Sequence, residues 1–139
     1  MKFFLLTLVS LSGLVYIRSQ GEPATCRCAL FVSSRSAEIM VYELNNVLIG
    51  DCNSHDQCMS RCTSELNQIT NNLDLWSMMG NDTVGQAFCQ ELYSHFFFYI
   101  HNSYVHGYYE ICGGPWEYTG IDSQQPLCCD MGQQEHCIA

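Results

Sequence analysis

The sequence predicts a small, disulfide-rich α+β fold, a single domain with two helices and a few antiparallel strands. Three observations support this fold class. Ten cysteines occur in 139 residues. One segment repeats its apolar residues every three or four positions, as a helix does, and later segments are dense in aromatic and β-branched residues, as strands are. No internal repeat or linker divides the sequence, so one domain accounts for it.

The N-terminus predicts a secretory signal peptide, because Lys2 is followed by an apolar run. Small residues place the cleavage after Ser19 or after Gly21. We therefore expect residues 1–19 to be removed and residues 20–139 to form a secreted, cysteine-rich domain. The alternative is a retained N-terminal anchor, for which the run is short. No later stretch of the sequence is apolar enough to span a membrane.

The cysteines are even in number and all follow the predicted cleavage site, which favours five disulfides formed in an oxidising compartment. Zinc is the alternative, but the Cys-x-x-Cys knuckles of structural zinc sites are absent, so we expect no metal. Sequence leaves the pairing open, except that Cys128 and Cys129 should have different partners because neighbouring side chains on an extended segment point to opposite faces. The ten are Cys26, Cys28, Cys52, Cys58, Cys62, Cys89, Cys112, Cys128, Cys129 and Cys137.

The predicted mature domain is strongly acidic. It keeps three arginines against fourteen carboxylates, a formal charge of −11, and it has no lysine. Nucleic acids and anionic membranes attract clustered cations, so this charge argues against both as partners. It fits solubility, or a cationic or calcium-rich extracellular partner. We expect extracellular matrix or secreted protein partners.

The first elements predicted are two strands and a helix. Residues 28–32 and 38–44 are rich in strand formers and can pair as a hairpin through 33–37. Ser54 and Gln57 have the spacing of a capping box, which predicts a helix that begins there and ends at residues 71–72 or at Gly80. Its buried face is expected to carry Cys58, Cys62, Leu66, Ile69 and Leu73.

A second, shorter helix is predicted to begin at Asp82 or Thr83, with Val84, Phe88 or Cys89, and Leu92 on its inner face. Its start coincides with the sequon at residues 81–83. A helix-starting loop after a glycine is exposed, so we expect Asn81 to be glycosylated, the alternative being an unused sequon.

Further strands are predicted after the second helix. Residues 96–100 and 104–112 form them around a turn at 102–103, and residues 113–115 break the second. Residues 119–125 are interpreted as a polar loop. The aromatic residues of this region are mostly core, with an exposed face for partner contact or tyrosine cross-linking as a sharper hypothesis. They are Tyr93, Phe96, Phe97, Phe98, Tyr99, Tyr104, Tyr108, Tyr109, Trp116 and Tyr118.

One short motif raises the question of catalysis. Cys-Asn-Ser-His-Asp-Gln-Cys at 52–58 resembles the Cys-x-x-His-Asp-x-Cys centre of secreted calcium-dependent phospholipases. The resemblance implies His55 as a general base on water and Asp56 as a calcium ligand. The chemistry is coherent, since imidazole accepts a proton near neutral pH and calcium prefers oxygen ligands.

The departures from that family outweigh the match. Asp51 replaces the first cysteine of the motif, and residues 39–50 lack the glycine- and cysteine-rich loop that completes the calcium shell. Asp82 is out of register as the aspartate that would orient the histidine. We therefore expect no enzyme and no cofactor. We expect His95, His101 and His106, which are unevenly spaced over two predicted strands, to be ordinary surface or partly buried histidines and not a metal cluster.

Four blocks of the sequence are similar to the arthropod follicle cell proteins. They are Cys-Arg-Cys-Ala-Leu-Phe-Val at 26–32, Cys-x-x-His-x-x-Cys-x-x-x-Cys at 52–62, Ile-Cys-Gly-Gly-Pro-Trp-Glu-Tyr-Thr-Gly at 111–120 and Pro-Leu-Cys-Cys at 126–129. The resemblance implies a small secreted protein of the ovarian follicle layer and eggshell, without enzyme activity, and it transfers no site residues. We expect a non-catalytic extracellular structural or interaction component. The alternatives are a phospholipase-like hydrolase and a soluble secreted effector or ligand-binding protein.

Overall fold

The computed structural model of the protein describes residues 23–138, so the predicted signal peptide and both cleavage sites lie outside the described part. Within it the fold is the predicted small, disulfide-rich α+β domain. The elements in chain order are β1 (Thr25–Ser33), β2 (Glu38–Glu43), β3 (Val47–Leu48), α1 (His55–Thr70), β4 (Met78–Met79), β5 (Asp82–Thr83), α2 (Val84–Ser94), β6 (Tyr99–Ser103), β7 (Val105–Ile111), β8 (Glu117–Asp122), β9 (Leu127–Asp130) and β10 (Gln133–Glu135).

The larger sheet is antiparallel and has the strand order β2-β1-β7-β8, with β3 paired to the start of β1. The predicted hairpin of β1 and β2 is confirmed, and its turn is closed by a 2.8 Å hydrogen bond from the Ser34 amide to the Ala37 carbonyl. On the other side, β1 pairs with β7 from Cys26 opposite Ile111 to Val32 opposite Val105. The first strand is thus central to the sheet, although its other partner, β7, lies about seventy residues later in the chain.

Two disulfides join β1 to α1, Cys26 to Cys58 and Cys28 to Cys62. Residues two apart on a strand share a face and are about 6.6 Å apart along it. Residues four apart on a helix also share a face and are about 6 Å apart. The two spacings match, so the strand and the helix can be bonded side by side, and all four cysteines are fully buried.

The first helix begins where it was predicted, but the capping box is wrong. The Ser54 side chain makes no cap hydrogen bond and its hydroxyl donates instead to Asp51 Oδ1 at 3.0 Å. The Gln57 side chain accepts from the Gly50 amide. Asn71, in the left-handed conformation that asparagine tolerates, ends the helix as expected.

The buried face of α1 is also partly different from the prediction, because Ile69 is 37% exposed. Thr70 takes the buried position one turn after Leu66, and its hydroxyl donates to the Leu66 carbonyl at 2.6 Å. That hydroxyl also accepts from the Leu73 amide at 3.0 Å, so the buried polar side chain has partners for both of its roles. Leu73 is buried as predicted, but it lies beyond the helix.

The second helix follows a small hairpin of β4 and β5. Thr83 is its N-cap, with the hydroxyl accepting from the Gln86 amide at 3.1 Å, and the predicted inner face is confirmed by the burial of Val84, Phe88, Cys89 and Leu92. A disulfide from Cys89 to Cys129 ties α2 to β9.

The C-terminal strands differ most from the prediction. Residues 96–98 are not a strand, and β6 does not pair with β7 across residues 102–103. It pairs with β9, which forms a three-stranded sheet of order β10-β9-β6. Residues 119–122 belong to β8 and not to a loop, because this edge strand alternates between exposed and half-buried residues and so reads as polar.

All ten cysteines lie in the described residues and all are paired, which makes five disulfides. The remaining two are Cys52 to Cys112 and Cys128 to Cys137, so the adjacent cysteines do have different partners. The core fills the space between the two helices and the sheets, and its largest fully buried side chains include Phe88, Leu30, Leu66, Leu73, Leu75, Leu92 and Leu127.

Candidate functional site

His55 is the first residue of α1 and reaches the sheet. Its Nδ1 lies 3.0 Å from Glu117 Oε2 on β8 and 3.4 Å from the Tyr109 hydroxyl on β7. Both His55 and Glu117 are nearly half exposed. Asp56 is exposed on the next position of the helix. The histidine of the predicted motif therefore pairs with a glutamate that sequence reasoning did not single out.

Tyr109 and Glu117 shift each other's pKa. A hydrogen bond to Glu117 raises the pKa of Tyr109 to about 12, with burial adding to the effect. The same hydrogen bond lowers the pKa of Glu117. Burial opposes this effect, and the hydrogen bond from His55 adds to it. A carboxylate on Nδ1 fixes the orientation of the imidazole and leaves Nε2 as the nitrogen able to accept a proton, the arrangement found in general bases.

The surroundings of Asp56 differ from a calcium-binding loop. Val47 and Leu48 form β3 and pair with β1 as part of the sheet edge, and the Ile49 amide donates to the Ala24 carbonyl at 3.1 Å. Asp51 accepts hydrogen bonds from the Asn53 amide and the Ser54 hydroxyl. Asp82, considered as an orienting aspartate, lies in the β4–β5 hairpin, while the carboxylate on His55 comes from Glu117.

The three later histidines have separate environments. His95 ends α2 and pairs with Glu91 at 2.9 Å, His106 pairs with Asp122 at 2.6 Å, and His101 is exposed on β6. In residues 23–138, the one grouping of three potential metal-ligand side chains is Cys26, Cys28 and Cys62. All three are disulfide-bonded, so they offer no thiolate to a metal.

The second candidate region is the face of the larger sheet turned away from the helices, here called the outer face. Along β1 the core residues Cys26, Cys28, Leu30 and Val32 alternate with Arg27, Ala29, Phe31 and Ser33, which therefore point outward. The outer face is defined by Arg27, Phe31, His106, Tyr108, Trp116 and Tyr118.

The rings of the outer face are in contact with one another. The Phe31 centroid lies 5.2 Å from those of both Tyr108 and Trp116, at interplanar angles of 80° and 67°. Tyr108 lies 5.8 Å from Tyr118, which lies 6.1 Å from His106. These are the edge-to-face and tilted arrangements that aromatic quadrupoles favour, so the rings form one continuous surface.

Arg27 lies over one end of this surface. Its guanidinium carbon is 4.8 Å from the Trp116 ring centroid, within the range of a cation–π interaction. The same guanidinium donates to Glu43 at 2.7 Å and to Glu110 at 3.0 Å. Trp116 thus contacts both Arg27 and Phe31, the outward-facing neighbours of Ala29 on β1. Ala29 itself points outward and is fully buried, because the indole spans the space between these two residues.

A small cavity opens within the outer face. Phe31, Tyr108, Trp116 and Glu38 line a volume of about 190 Å³. Phe31 is only 8% exposed, whereas Tyr108 and Trp116 are half-buried and Glu38 is exposed. Glu38 accepts a hydrogen bond from the Ser33 hydroxyl at 2.7 Å, which holds its carboxylate beside the rings.

Sequence reasoning missed Phe31, Glu38 and Glu117 as members of these clusters. Phe31 stands in a run that looks apolar throughout, but every second residue of that run is a core residue, and the alternation from Cys26 onward is the signal that places Phe31 on the other face. For Glu117 no local signal exists, because its partner His55 is 62 residues away.

The sequon lies at the tip of the β4–β5 hairpin. Asn81 is exposed between the two short strands, while the hydroxyl of Thr83 caps α2 and donates to Gln134 Oε1. The acceptor asparagine is therefore accessible in the folded protein, and its glycosylation stays a prediction.

Fold and sites define a disulfide-rich α+β domain with an aromatic sheet face and a separate His55–Glu117–Tyr109 cluster. No protein-family model matches the chain, and no match was found among the curated proteins or the solved structures compared with it. In residues 23–138, no helix is long and apolar enough to cross a membrane.

Proposed function

We propose that the protein is a secreted, non-catalytic extracellular component with a structural or interaction role, and that it contacts its partners through the outer face. The observation that carries this proposal is the continuous aromatic surface of that face. The helices pack against the opposite side of the sheet, so the rings of Tyr108, Trp116 and Tyr118 keep part of their surface in water.

Aromatic side chains with a polar group are the ones that interfaces favour. They supply a large contact area, and a tyrosine hydroxyl or an indole N–H can hydrogen-bond to a partner. Exposed aromatic patches ringed by polar residues are typical of contact sites. Here the exposed polar residues around the face include Glu38 and Asp122, while Glu43 and the buried Glu110 pair with Arg27, so a partner with cationic groups fits best.

The disulfides support the extracellular part of the proposal. Five disulfides in a small domain persist outside the reducing cytosol, and such domains are typical of secreted proteins. The resemblance of four sequence blocks to the follicle cell proteins is our reason for proposing an eggshell or another matrix layer as the setting. Exposed tyrosines, among them Tyr99 and Tyr104, are available for cross-linking there.

The test is sequential extraction of the native protein from the tissue that secretes it, with buffer, then denaturant, then denaturant plus reductant. A matrix component resists plain buffer. Because all ten cysteines are paired within the chain, it leaves with denaturant if its contacts are non-covalent, and it stays behind even with reductant if tyrosine cross-links hold it. Release of a monomer by plain buffer would contradict the structural role and favour a soluble effector or ligand-binding protein.

One observation favours a second function, a calcium-dependent phospholipase-like hydrolase. His55 carries a glutamate on Nδ1, as a general base does, and Asp56 follows it. Lipid hydrolysis with calcium should then fall by at least about a hundredfold in His55→Ala, the scale of general-base catalysis. Equal activity of the parent and variant proteins would eliminate the hydrolase.

A further inference from the structure

We propose that the cavity formed by Phe31, Tyr108, Trp116 and Glu38 binds a quaternary ammonium group. The inference rests on the proposed use of the outer face for contacts and names the chemistry of one such contact. Three aromatic rings and one carboxylate around a small space form an aromatic cage, and such cages bind cations through the negative faces of the rings.

The geometry suits a compact head group. Phe31 stands nearly perpendicular to Tyr108 and strongly inclined to Trp116, with both centroids 5.2 Å away, so it is stacked on neither ring. At about 190 Å³ the space is smaller than the roughly 300–1,000 Å³ of sites for drug-sized ligands. A trimethylammonium group is of the appropriate size class, whereas a folded peptide segment is too large.

The composition of the lining selects a methylated cation over a primary amine. A primary ammonium has three N–H donors and needs acceptors to replace the water that it loses on entering a cavity. Glu38 is the one carboxylate among the lining residues, and the rest of the lining is aromatic. A quaternary ammonium donates no hydrogen bond and presents methyl groups to the rings, so its transfer costs less.

The carboxylate of the cavity is available to a cation, because Glu38 hydrogen-bonds only to a neutral hydroxyl among the contacts described for it. The nearest positive charge is Arg27, which lies over the Trp116 ring, and its charge is offset by Glu43 and Glu110. Burial, followed by the charges of Glu38 and Asp122, raises the pKa of Tyr108, which also lines the cavity. The formal charge of −11 over residues 20–139 adds a long-range attraction.

The test is a titration with choline, followed by the fluorescence of Trp116 in a Trp76→Phe background. The chain has two tryptophans, so this background leaves Trp116 as the sole reporter. Two probes accompany choline at constant ionic strength. They are 3,3-dimethylbutan-1-ol, which has the same shape without the charge, and ethanolamine, which has the charge without the methyl groups.

We expect saturable choline binding with a dissociation constant of about 1 mM or tighter, and at least tenfold weaker binding of both other probes. Glu38→Gln, an exposed substitution, should weaken choline binding about fivefold, the effect of one charge about 4 Å away in water. Tyr104→Leu removes an exposed tyrosine that does not line the cavity and should leave binding unchanged.

Absence of saturable choline binding at millimolar concentrations would overturn the inference. So would equal binding of the neutral isostere, since the cavity would then be only an apolar slot. Both outcomes leave the extraction test untouched, because a matrix protein can hold its partners through the rest of the outer face. Conversely, release of the protein by plain buffer would contradict the matrix role but would not affect the conclusion on choline binding.

Discussion

At the scale of single residues, two tyrosines on neighbouring strands have the same kind of environment. The Tyr109 hydroxyl and the Glu117 carboxylate both contact His55 Nδ1, at 3.4 and 3.0 Å, and Tyr118 donates to Asp122 at 2.6 Å, which pairs with His106. In both cases the hydrogen bond to the carboxylate is the largest cause that raises the pKa of the tyrosine to about 12. The two clusters lie on opposite faces of the sheet, so the pKa of each tyrosine is a separate measure of the contacts on its own face.

This symmetry allows a matched titration. Glu117→Gln removes the negative charge beside Tyr109, so the pKa of Tyr109 should fall from about 12 towards its ordinary 10.0, while that of Tyr118 stays at about 12. Asp122→Asn should do the reverse. Nuclear magnetic resonance of protein labelled with carbon-13 at the tyrosine ring measures both residues separately, which absorbance cannot do with eight tyrosines in the sequence. A titration curve that neither substitution changes would contradict the hydrogen bonds described.

The same shifts predict a loss of stability in alkali. The folded pKa of each tyrosine is higher than the unfolded value, so the unfolded chain releases its protons first as the pH rises. The stabilisation is complete below pH 10.0 and is lost between pH 10.0 and about 12. Denaturant unfolding across this range should show a decline that is smaller in the Tyr109→Phe, Tyr118→Phe double variant. An equal decline in both proteins would refute this cause.

At the scale of elements, the N-terminal half could be predicted well and the C-terminal half could not. The hairpin of β1 and β2 and both helices follow from local signals, since alternation and helical periodicity are read over a few residues. By contrast, β6 pairs with β9, whose residues begin 24 positions after the end of β6, and neighbouring strands were the simpler expectation. Asn102, at a φ of 46°, belongs to the irregularity where the chain passes from one sheet towards the other.

The candidate clusters show the same limit. Phe31 and Trp116 lie 85 positions apart, and His55 and Glu117 lie 62 apart, so their meeting depends on the strand order and not on spacing in the sequence. The number of disulfides could be predicted, because ten cysteines permit five. Its pairing needed the position of α1 against β1.

The cap of α2 can be tested apart from the sequon that shares its threonine. Thr83→Ala removes the hydroxyl that accepts from the Gln86 amide and should lower the free energy of unfolding by about 1 kcal/mol. Thr83→Ser keeps both cap and sequon, and Asn81→Gln keeps the cap alone. In denaturant unfolding of protein made without glycans, only Thr83→Ala should therefore have a lower free energy of unfolding than the parent protein. Equal stability of all four proteins would exclude the cap.

The packing of β7 against β8 depends on a glycine. A Cβ at Gly107 would lie 2.4 Å from Ile121 Cγ1 and 2.8 Å from Thr119 Oγ1, so the strands would have to move apart. Gly107→Ala should cost about 1–3 kcal/mol, the range of overpacked sites. The control is Gly50→Ala, whose Cβ meets nothing closer than 3.8 Å. Equal melting temperatures of the two variants in thermal unfolding would contradict this packing.

At the scale of the whole molecule, the disulfides link nearly every layer of the fold. Two join β1 to α1, one joins α2 to β9, and Cys52 to Cys112 joins the segment before α1 to the end of β7. A cross-link stabilises by restricting the unfolded chain, typically by about 2–4 kcal/mol. The outer face can therefore expose its rings without having to contribute the burial that other small domains need for stability.

The central claim is that the protein is released as a processed extracellular chain held by these five disulfides, and intact mass measurement of the native protein tests it most directly. The account predicts an N-terminus at Gln20 or Glu22, no reaction with a thiol reagent before reduction, and a mass gain of ten hydrogens after it. Partial digestion should recover Cys26–Cys58 and Cys28–Cys62 as linked peptides. A chain that keeps residues 1–19 and carries free thiols would contradict it.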